Sequence, residues 1–272
     1  MNETKEILFN KIYVIESLFP DDKKTGTLLY NDLLKIKTFQ IPQLKSELFN
    51  PNTKKELIEC FEKIKKEIVE LDTYPFIHLE LHGSNNKDGL ALNSYELITW
   101  NELAEYFRAI NQLCYHNLFV SLATCYGAYI FEEIKPWEPA PFWGYVGTYI
   151  KVHEDDIEVS FYSFFDTLLD TLDFNISVKS LNESNNILEY RYVFYNAEAV
   201  FELICETYER ISSEPDNIKR RAIELTKITA EKLGVTDPEI IKQEEIKMEN
   251  LIINSKEYYY QKHKSIFLNL NK

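Results

Sequence analysis

Long hydrophobic runs are missing from this sequence of 272 residues. No window approaches the roughly 18 consecutive apolar residues that a membrane-spanning helix needs. The first residues, Met1 to Glu6, also lack the basic region and the apolar run of a secretory signal. We therefore expect a cytoplasmic protein without a membrane partner.

Cysteine and glycine are scarce as well, with four and seven residues respectively. The glycines do not form the loop that cradles a phosphate group. The cysteines include no zinc-type pair, and we expect them to be buried thiols unless one is catalytic. They are Cys60, Cys114, Cys125 and Cys205. The sequence thus predicts neither a metal ion nor a cofactor.

Positive charge is also in short supply. The chain has 30 Lys and Arg residues against 44 Asp and Glu residues, which gives a formal net charge of -14. Because phosphate backbones are bound by clustered Lys and Arg, this balance argues against a nucleic-acid partner. Residues 211–272 are nearly neutral, so the acidic excess lies in residues 1–210.

The apolar residues that are present follow an alternating pattern of strands and helices. Strands are predicted at residues 12–15, 76–81, 118–124 and 144–150, and helices at residues 28–36, 54–71, from 101 onward and at 158–172. Such alternation favours an α/β fold in which a mainly parallel sheet is flanked by helices.

The end of the chain has a different pattern. From Ala197 onward it is almost wholly helical, with one break from Gly234 to Pro238. We therefore expect one domain in residues 1–210, which would hold any active site, and a helical C-terminal extension in residues 211–272.

Two chemically active residues each follow a predicted strand. His82 and Gly83 come after one strand, and Cys125 comes after the next strand along the chain, with Gly127 two residues later. In parallel α/β sheets, ligands bind at the carboxyl ends of strands. A cysteine near an imidazole at such a place has the surroundings that favour its thiolate, the attacking species in thiol catalysis.

The arrangement of His-Gly and Cys-x-Gly after successive apolar strands resembles the caspase-like peptidases. The spacing between His82 and Cys125 is close to the roughly 50 residues of the caspase pair. The segments Asp88–Asn93, Ile98–Leu103 and Gly144–Thr148 also look like parts of bacterial caspase-like and CHAT-type domains. Animal caspases are less similar, because their Gln-Ala-Cys-x-Gly motif is replaced here by Ala-Thr-Cys-Tyr-Gly.

The resemblance implies a caspase-like fold and a cysteine endopeptidase with a Cys–His dyad. Cys125 is then the nucleophile, His82 the proton-transfer partner, and the N–H groups of Gly83 and Cys125 the oxyanion hole. A role in bacterial defence or regulated cell death is a further implication. From their positions near the dyad or on the next strand, four residues are predicted to line the substrate groove: Ser84, Tyr126, Trp143 and Thr148.

Two other clusters allow weaker interpretations. His78, Glu80 and His82 lie on one face of a strand, but same-face neighbours are roughly 6.6 Å apart, which is too far for easy chelation of one metal ion. Acidic residues are dense between residues 127 and 173. A carboxylate in the wall of the specificity pocket selects Arg or Lys, so we expect a basic residue at the cleaved position.

Three functional hypotheses follow from the sequence. The first is an endopeptidase whose partner is a protein substrate, controlled by a regulatory protein or ligand that contacts residues 211–272. The second is a catalytically inactive interaction module that keeps the caspase-like fold. The third is a thiol-dependent hydrolase of a small amide or ester, which shares the dyad and differs in the size of its pocket.

Overall fold

The computed structural model describes residues 9–184 and 192–270, which form two compact units. The first unit runs from the start of the described chain to Ile134 and from Ala140 to Ala197. The second contains Lys135–Pro139 and the described residues from Glu198 onward. The predicted division after residue 210 lies inside one continuous helix, whereas the units divide at the first turn of that helix.

All the strands of the described chain belong to the first unit. They are β1 (Lys11–Ser17), β2 (Lys45–Phe49), β3 (Pro75–Gly83), β4 (Gly89–Ala91), β5 (Leu97–Thr99), β6 (Phe119–Leu122), β7 (Gly144–Thr148) and β8 (Tyr192–Asn196). The main sheet has the order β2-β1-β3-β6-β7-β8. Its first five strands run parallel, and β8 is antiparallel to β7. A short hairpin of β4 and β5 pairs with the end of β3.

Helices follow most of these strands. Those of the first unit are α1 (Thr25–Leu29), α2 (Lys35–Gln40), α3 (Lys54–Leu71), α4 (Trp100–Leu113), α5 (Glu154–Thr171) and α6 (Phe174–Glu183). A π-helical turn (Tyr30–Leu34) joins α1 to α2, and a 3₁₀ helix (Gly127–Glu133) follows β6. The predicted fold class is confirmed: a mainly parallel sheet lies among helices.

One face of the sheet is covered by α1, α2, α5 and α6. Its core is aromatic: the Phe76 ring of β3 lies 5.2–6.3 Å from the rings of Phe9, Phe119, Phe165 and Phe174. Offset and edge-to-face aromatic contacts stabilise beyond the area that they bury. This face therefore holds the strands in register beneath the site described below.

The opposite face packs on α3 and α4. Successive strand residues point to opposite faces, so Tyr13 of β1 faces α3, where its hydroxyl donates to Glu67 at 2.6 Å. Phe61 of α3 contacts Phe107 of α4 with ring centroids 6.0 Å apart. Thr53 caps α3, and Thr99 forms a capping box with Glu102 at the start of α4. These caps explain why both helices begin where they do.

The second unit consists of α7 (Ala197–Ser212), α8 (Pro215–Leu233), α9 (Pro238–Asn254) and α10 (Lys256–Phe267) together with Lys135–Pro139. The predicted break is confirmed, because Gly234 ends α8 with a left-handed φ of +68° and Pro238 begins α9. Lys264 of α10 binds Glu202 of α7 at 2.8 Å. In the described part of the chain, no helix is long and apolar enough to cross a membrane.

Removing the central aromatic ring tests this account of the core. Phe76→Ala should lower the free energy of unfolding by about 3–5 kcal/mol, because it leaves a cavity among the four rings named above. Urea denaturation followed by circular dichroism measures the change. Phe39→Ala is the matched control: the Phe39 side chain is 91% exposed, so its loss should change stability by no more than about 0.5 kcal/mol. Equal losses in the two variants would contradict the account.

Candidate active site

The two candidate catalytic residues lie at the same edge of the sheet. β3 and β6 are parallel neighbours whose last paired residues are Leu79 and Leu122. His82 and Cys125 each lie three positions beyond that pair. The strand register therefore brings the imidazole and the thiol to the carboxyl edge, where parallel sheets place their ligands.

Gly83 lies directly against the backbone of Cys125. A Cβ atom added to Gly83 would lie 1.9 Å from the carbonyl oxygen of Cys125 and 3.1 Å from its Cβ. No side chain fits into that space, so only glycine allows the two chain segments to approach this closely. The His-Gly pair in the sequence is thus explained by packing as well as by chemistry.

Two N–H groups are available for an oxyanion. Ser84 N donates to Gly89 O at 2.9 Å, and the alternation of an antiparallel ladder then turns the N–H of the preceding Gly83 away from β4. The N–H of Cys125 makes no hydrogen bond to any part of the chain that the structure describes. Both predicted members of the oxyanion hole, Gly83 and Cys125, are therefore free to donate.

Asp22 holds the outer nitrogen of His82. The Nε2 atom of His82 lies 2.7 Å from Oδ2 of Asp22, which also accepts from the N–H of Phe19 at 2.7 Å. Burial alone would raise the pKa of Asp22, but the hydrogen bond and charge of His82, the Phe19 N–H and the Lys24 ammonium outweigh it and hold this pKa below its ordinary value. The carboxylate form is thus favoured beside the imidazole.

Stacked rings fix the plane of the same imidazole. The Phe19 ring lies 4.6 Å from the His82 ring at an interplanar angle of 16°, and Tyr95 stacks on the other side of Phe19, also at 4.6 Å. With Nε2 bound to Asp22, the remaining nitrogen Nδ1 makes no hydrogen bond within the described residues. His82 therefore has one nitrogen held and one nitrogen available.

The thiol of Cys125 contacts the loop that follows β7. The Val152 N–H donates to Sγ at 3.4 Å, and the thiol donates to the Val152 carbonyl at 3.6 Å. No hydrogen bond joins Cys125 to His82 in the parts of the chain described above. The thiol thus makes its hydrogen bonds to this loop and none to His82.

One side of the site is formed by two segments with left-handed backbone. Tyr126 has a φ of +61°, and so does Lys87 in the turn between β3 and β4. The Lys87 ammonium binds the Tyr129 hydroxyl at 2.9 Å and lies 5.1 Å from the centre of the Tyr126 ring. These contacts hold the residue after the nucleophile in a conformation that is costly for tyrosine.

The four predicted groove residues are not all at the site. Ser84 and Tyr126 directly follow Gly83 and Cys125, and both are partly exposed. Thr148 lies at the carboxyl end of β7 but is fully buried, where it accepts from Ile150 N. Trp143 precedes β7 and packs against Phe119 in the core, with ring centroids 5.0 Å apart. The structure therefore places Trp143 at the opposite edge of the sheet from Cys125.

A buried polar chain lies beneath the site. His78 binds Ser121 Oγ at 2.7 Å through Nδ1 and Glu80 Oε1 at 2.9 Å through Nε2, and Glu80 also accepts from Thr25. These groups satisfy one another, as buried polar side chains must. Among the described residues, no group of three His, Cys, Asp or Glu side chains is arranged to hold a metal ion. His78 and Glu80 thus join β3 to its neighbours.

Sequence reasoning did not find Asp22, Phe19 or Val152. Asp22 belongs to a turn-rich segment that reads as an ordinary surface loop, and only the pairing of β1 with β3 brings it to His82. The available signal was its position: a carboxylate soon after a strand that neighbours the histidine strand.

Comparison of the sequence with protein-family models and with curated proteins finds no match. The function is therefore inferred from the geometry of the site. The likeness of the His82-Gly83 and Cys125-x-Gly127 motifs to bacterial caspase-like domains remains a prediction beside that geometry.

The depressed pKa of Asp22 predicts a specific loss of stability in acid. Because this pKa is lower in the folded chain than in the unfolded chain, where it is about 3.9, the Asp22 carboxylate stabilises the fold above that pH. The contribution disappears as the pH falls through the folded-state pKa. Asp22→Asn should thus be less stable than wild type at pH 6, and the difference should shrink in acid and vanish once the pH lies below the folded-state pKa of Asp22.

Urea denaturation across this pH range measures the difference. Asp21→Asn, a change in the neighbouring exposed carboxylate, should stay close to wild type at every pH. A pH-independent difference between wild type and Asp22→Asn would contradict the role given to the His82 contact.

Proposed function

We propose that this chain is a cysteine endopeptidase of the caspase-like type. One observation carries the proposal: a cysteine and a histidine meet at the carboxyl edge of a parallel sheet, and a carboxylate holds the far nitrogen of the histidine. A nucleophile, a base and a group that orients the base are the parts that activated thiols share. Asp22 acts as a positioning residue in this scheme, because it acts through His82.

The first chemical step begins with a proton transfer. Asp22 accepts a hydrogen bond from Nε2–H of His82, which leaves the lone pair of Nδ1 to take the proton from Cys125 Sγ. The thiolate then attacks the carbonyl carbon of the scissile peptide. The carbonyl oxygen becomes an oxyanion, which accepts hydrogen bonds from the N–H groups of Gly83 and Cys125.

The second step releases the amine. The imidazolium of His82 gives its proton to the leaving nitrogen, the C–N bond breaks, and a thioester remains on Cys125. Water attacks the thioester while His82 takes one water proton. The acid product leaves, and the proton returns to the sulfur. Each donor in the oxyanion hole is typically worth about 2.7–4 kcal/mol, so the backbone of Gly83 contributes as much as a polar side chain.

A protein substrate with a basic residue at the cleaved position is favoured, because carboxylates dominate the segment after Cys125. Two of these carboxylates, Asp155 and Glu158 of α5, form salt bridges with Lys23. A substrate cation that reaches them competes with Lys23. The cytoplasm is the proposed compartment, and bacterial defence or regulated cell death is the proposed setting.

The catalytically inactive interaction module remains the second candidate. The observation that favours it is the thiol of Cys125, which rests on Val152 without a hydrogen bond to His82. A latent peptidase that awaits a partner or ligand shares this geometry. The inactive module and the latent peptidase differ in whether the Cys125 thiol can be activated at all.

An electrophilic acyl-lysine thiol probe tests the proposal. Cys125 should be labelled by this probe faster than Cys60 and Cys114, because burial raises the pKa of both to about 11 and keeps them protonated. Labelling should vanish in Cys125→Ala and fall about 100-fold or more in His82→Ala. Mass spectrometry of the digested protein locates the label. Equal rates in wild type and His82→Ala would overturn the proposal, and an acyl-aspartate probe tests the preference for a basic residue.

Replacing Asp22 tests whether this residue orients His82 or only lies next to it. Asp22→Asn should slow probe labelling about tenfold or more, because the amide neither fixes the Nε2–H form of His82 nor stabilises the imidazolium. Asp21→Asn removes the same charge one residue away and should label at the wild-type rate. Labelling rates for the two variants between pH 5 and 8 provide the measurement. Identical profiles would show that Asp22 does not orient His82.

A further inference from the structure

A cavity lies at the opposite edge of the sheet from Cys125. It has a volume of about 440 Å³, within the range of small-molecule sites. Its floor is formed by the amino-terminal ends of β1 and β2, which begin at Lys11 and Lys45. The π-helical turn and α2 form its wall. π-Helical turns within helices occur frequently at functional sites.

The cavity carries positive charge on an acidic protein. Three lysines and one carboxylate line it, but Lys11 is bound by Glu47 at 2.7 Å and by Glu67 at 2.6 Å. The other two lining lysines, Lys35 and Lys45, form no ion pair with any described residue. Two unneutralised ammonium groups at one cavity, in a chain of net charge -14, favour an anionic ligand.

The same cavity offers aromatic surface. Tyr30 and Phe39 both line it, and the Phe39 side chain is 91% exposed although it is large and apolar. An exposed aromatic ring at the mouth of a cavity provides a platform on which a flat heterocycle such as a nucleobase stacks. An inorganic anion makes no use of that ring.

Backbone donors complete the cavity. β2 is the edge strand of the sheet and pairs only with β1 among the described strands. Lys45 N donates inward to Asn10 O, so the alternation of a parallel strand turns the N–H of Ser46 toward the open edge. Edge N–H groups pair readily with an incoming acceptor, and a phosphate oxygen is such an acceptor.

We propose that this cavity binds a nucleotide, with its phosphates on Lys35, Lys45 and the Ser46 N–H and its base on Phe39 and Tyr30. The proposal does not depend on the proposed peptidase function, because no residue of the cavity belongs to the Cys125 site. It also needs no glycine-rich loop, since side-chain ammonium groups supply the charge. A nucleotide bound in this cavity contacts none of the residues of the Cys125 site and takes no part in catalysis.

Isothermal titration calorimetry of the full chain with ATP, GTP, CTP and UTP tests the proposal. At least one nucleotide should bind, and the Lys35→Ala/Lys45→Ala double variant should weaken that binding about 100-fold, or about tenfold per charged hydrogen bond. Lys55→Ala/Lys66→Ala is the matched control. It removes the same charge from two exposed lysines of α3 that lie outside the cavity, and it should leave the affinity unchanged.

The role of the base is tested with sodium triphosphate. Phe39→Ala should weaken the nucleotide about tenfold or more and leave binding of triphosphate unaltered. Equal affinities of wild type for triphosphate and nucleotides would overturn the assignment of the base, and absence of binding by all four nucleotides at millimolar concentration would overturn the site. Equal losses in the cavity variant and the α3 control would overturn it as well. Circular dichroism of each variant establishes that it folds.

Discussion

The close approach of Gly83 to Cys125 is the constraint on which the site depends. The pairing of the parallel strands β3 and β6 ends at Leu79 and Leu122, and beyond this pair Gly83 touches the backbone of Cys125 where only a glycine fits. This contact fixes the nucleophile, the histidine beside it and two N–H donors relative to one another before any substrate arrives. Such preorganisation is the main source of catalytic power in sites of this kind.

The rest of the site is supplied by loops from the neighbouring strands. The loop after β1 brings Asp22 and Phe19, which fix the hydrogen bond and the plane of His82. The loop after β7 brings Val152, which holds the thiol in a resting position. The histidine is therefore oriented by its own contacts, whereas the thiol is bound to Val152.

Much of the fold could be predicted from the sequence, because the central strands and α3 have strong local patterns. The apolar runs before His82 and Cys125 fixed the positions of β3 and β6, and helical spacing identified the whole of α3. Two edge strands were missed. Lys45–Phe49 is five residues long and has three polar residues followed by two apolar ones, so it lacks the alternation of a strand. Tyr192–Asn196 is equally short, so neither segment differs clearly from a loop.

The site was predictable only where its residues follow strands. His82, Gly83 and Cys125 have that signal. Asp22 lies in a polar turn, and its contact with His82 forms only in the folded chain, so no local sequence pattern predicts it. Trp143, in contrast, was predicted to line the groove but lies away from the site. It is near the predicted groove in sequence, yet it lies before β7 instead of after it, and the length of one strand separates the two edges of a parallel sheet.

A crystal structure of the chain with a peptidyl ketone inhibitor bound tests the central claim most directly. We predict a covalent bond to Cys125 Sγ and an inhibitor oxygen about 2.7–3.1 Å from the N–H groups of Gly83 and Cys125. His82 should still be bound to Asp22, and Sγ should have left Val152. An inhibitor oxygen that points away from Gly83, or an imidazole released from Asp22, would contradict the claim that these residues form one preorganised site.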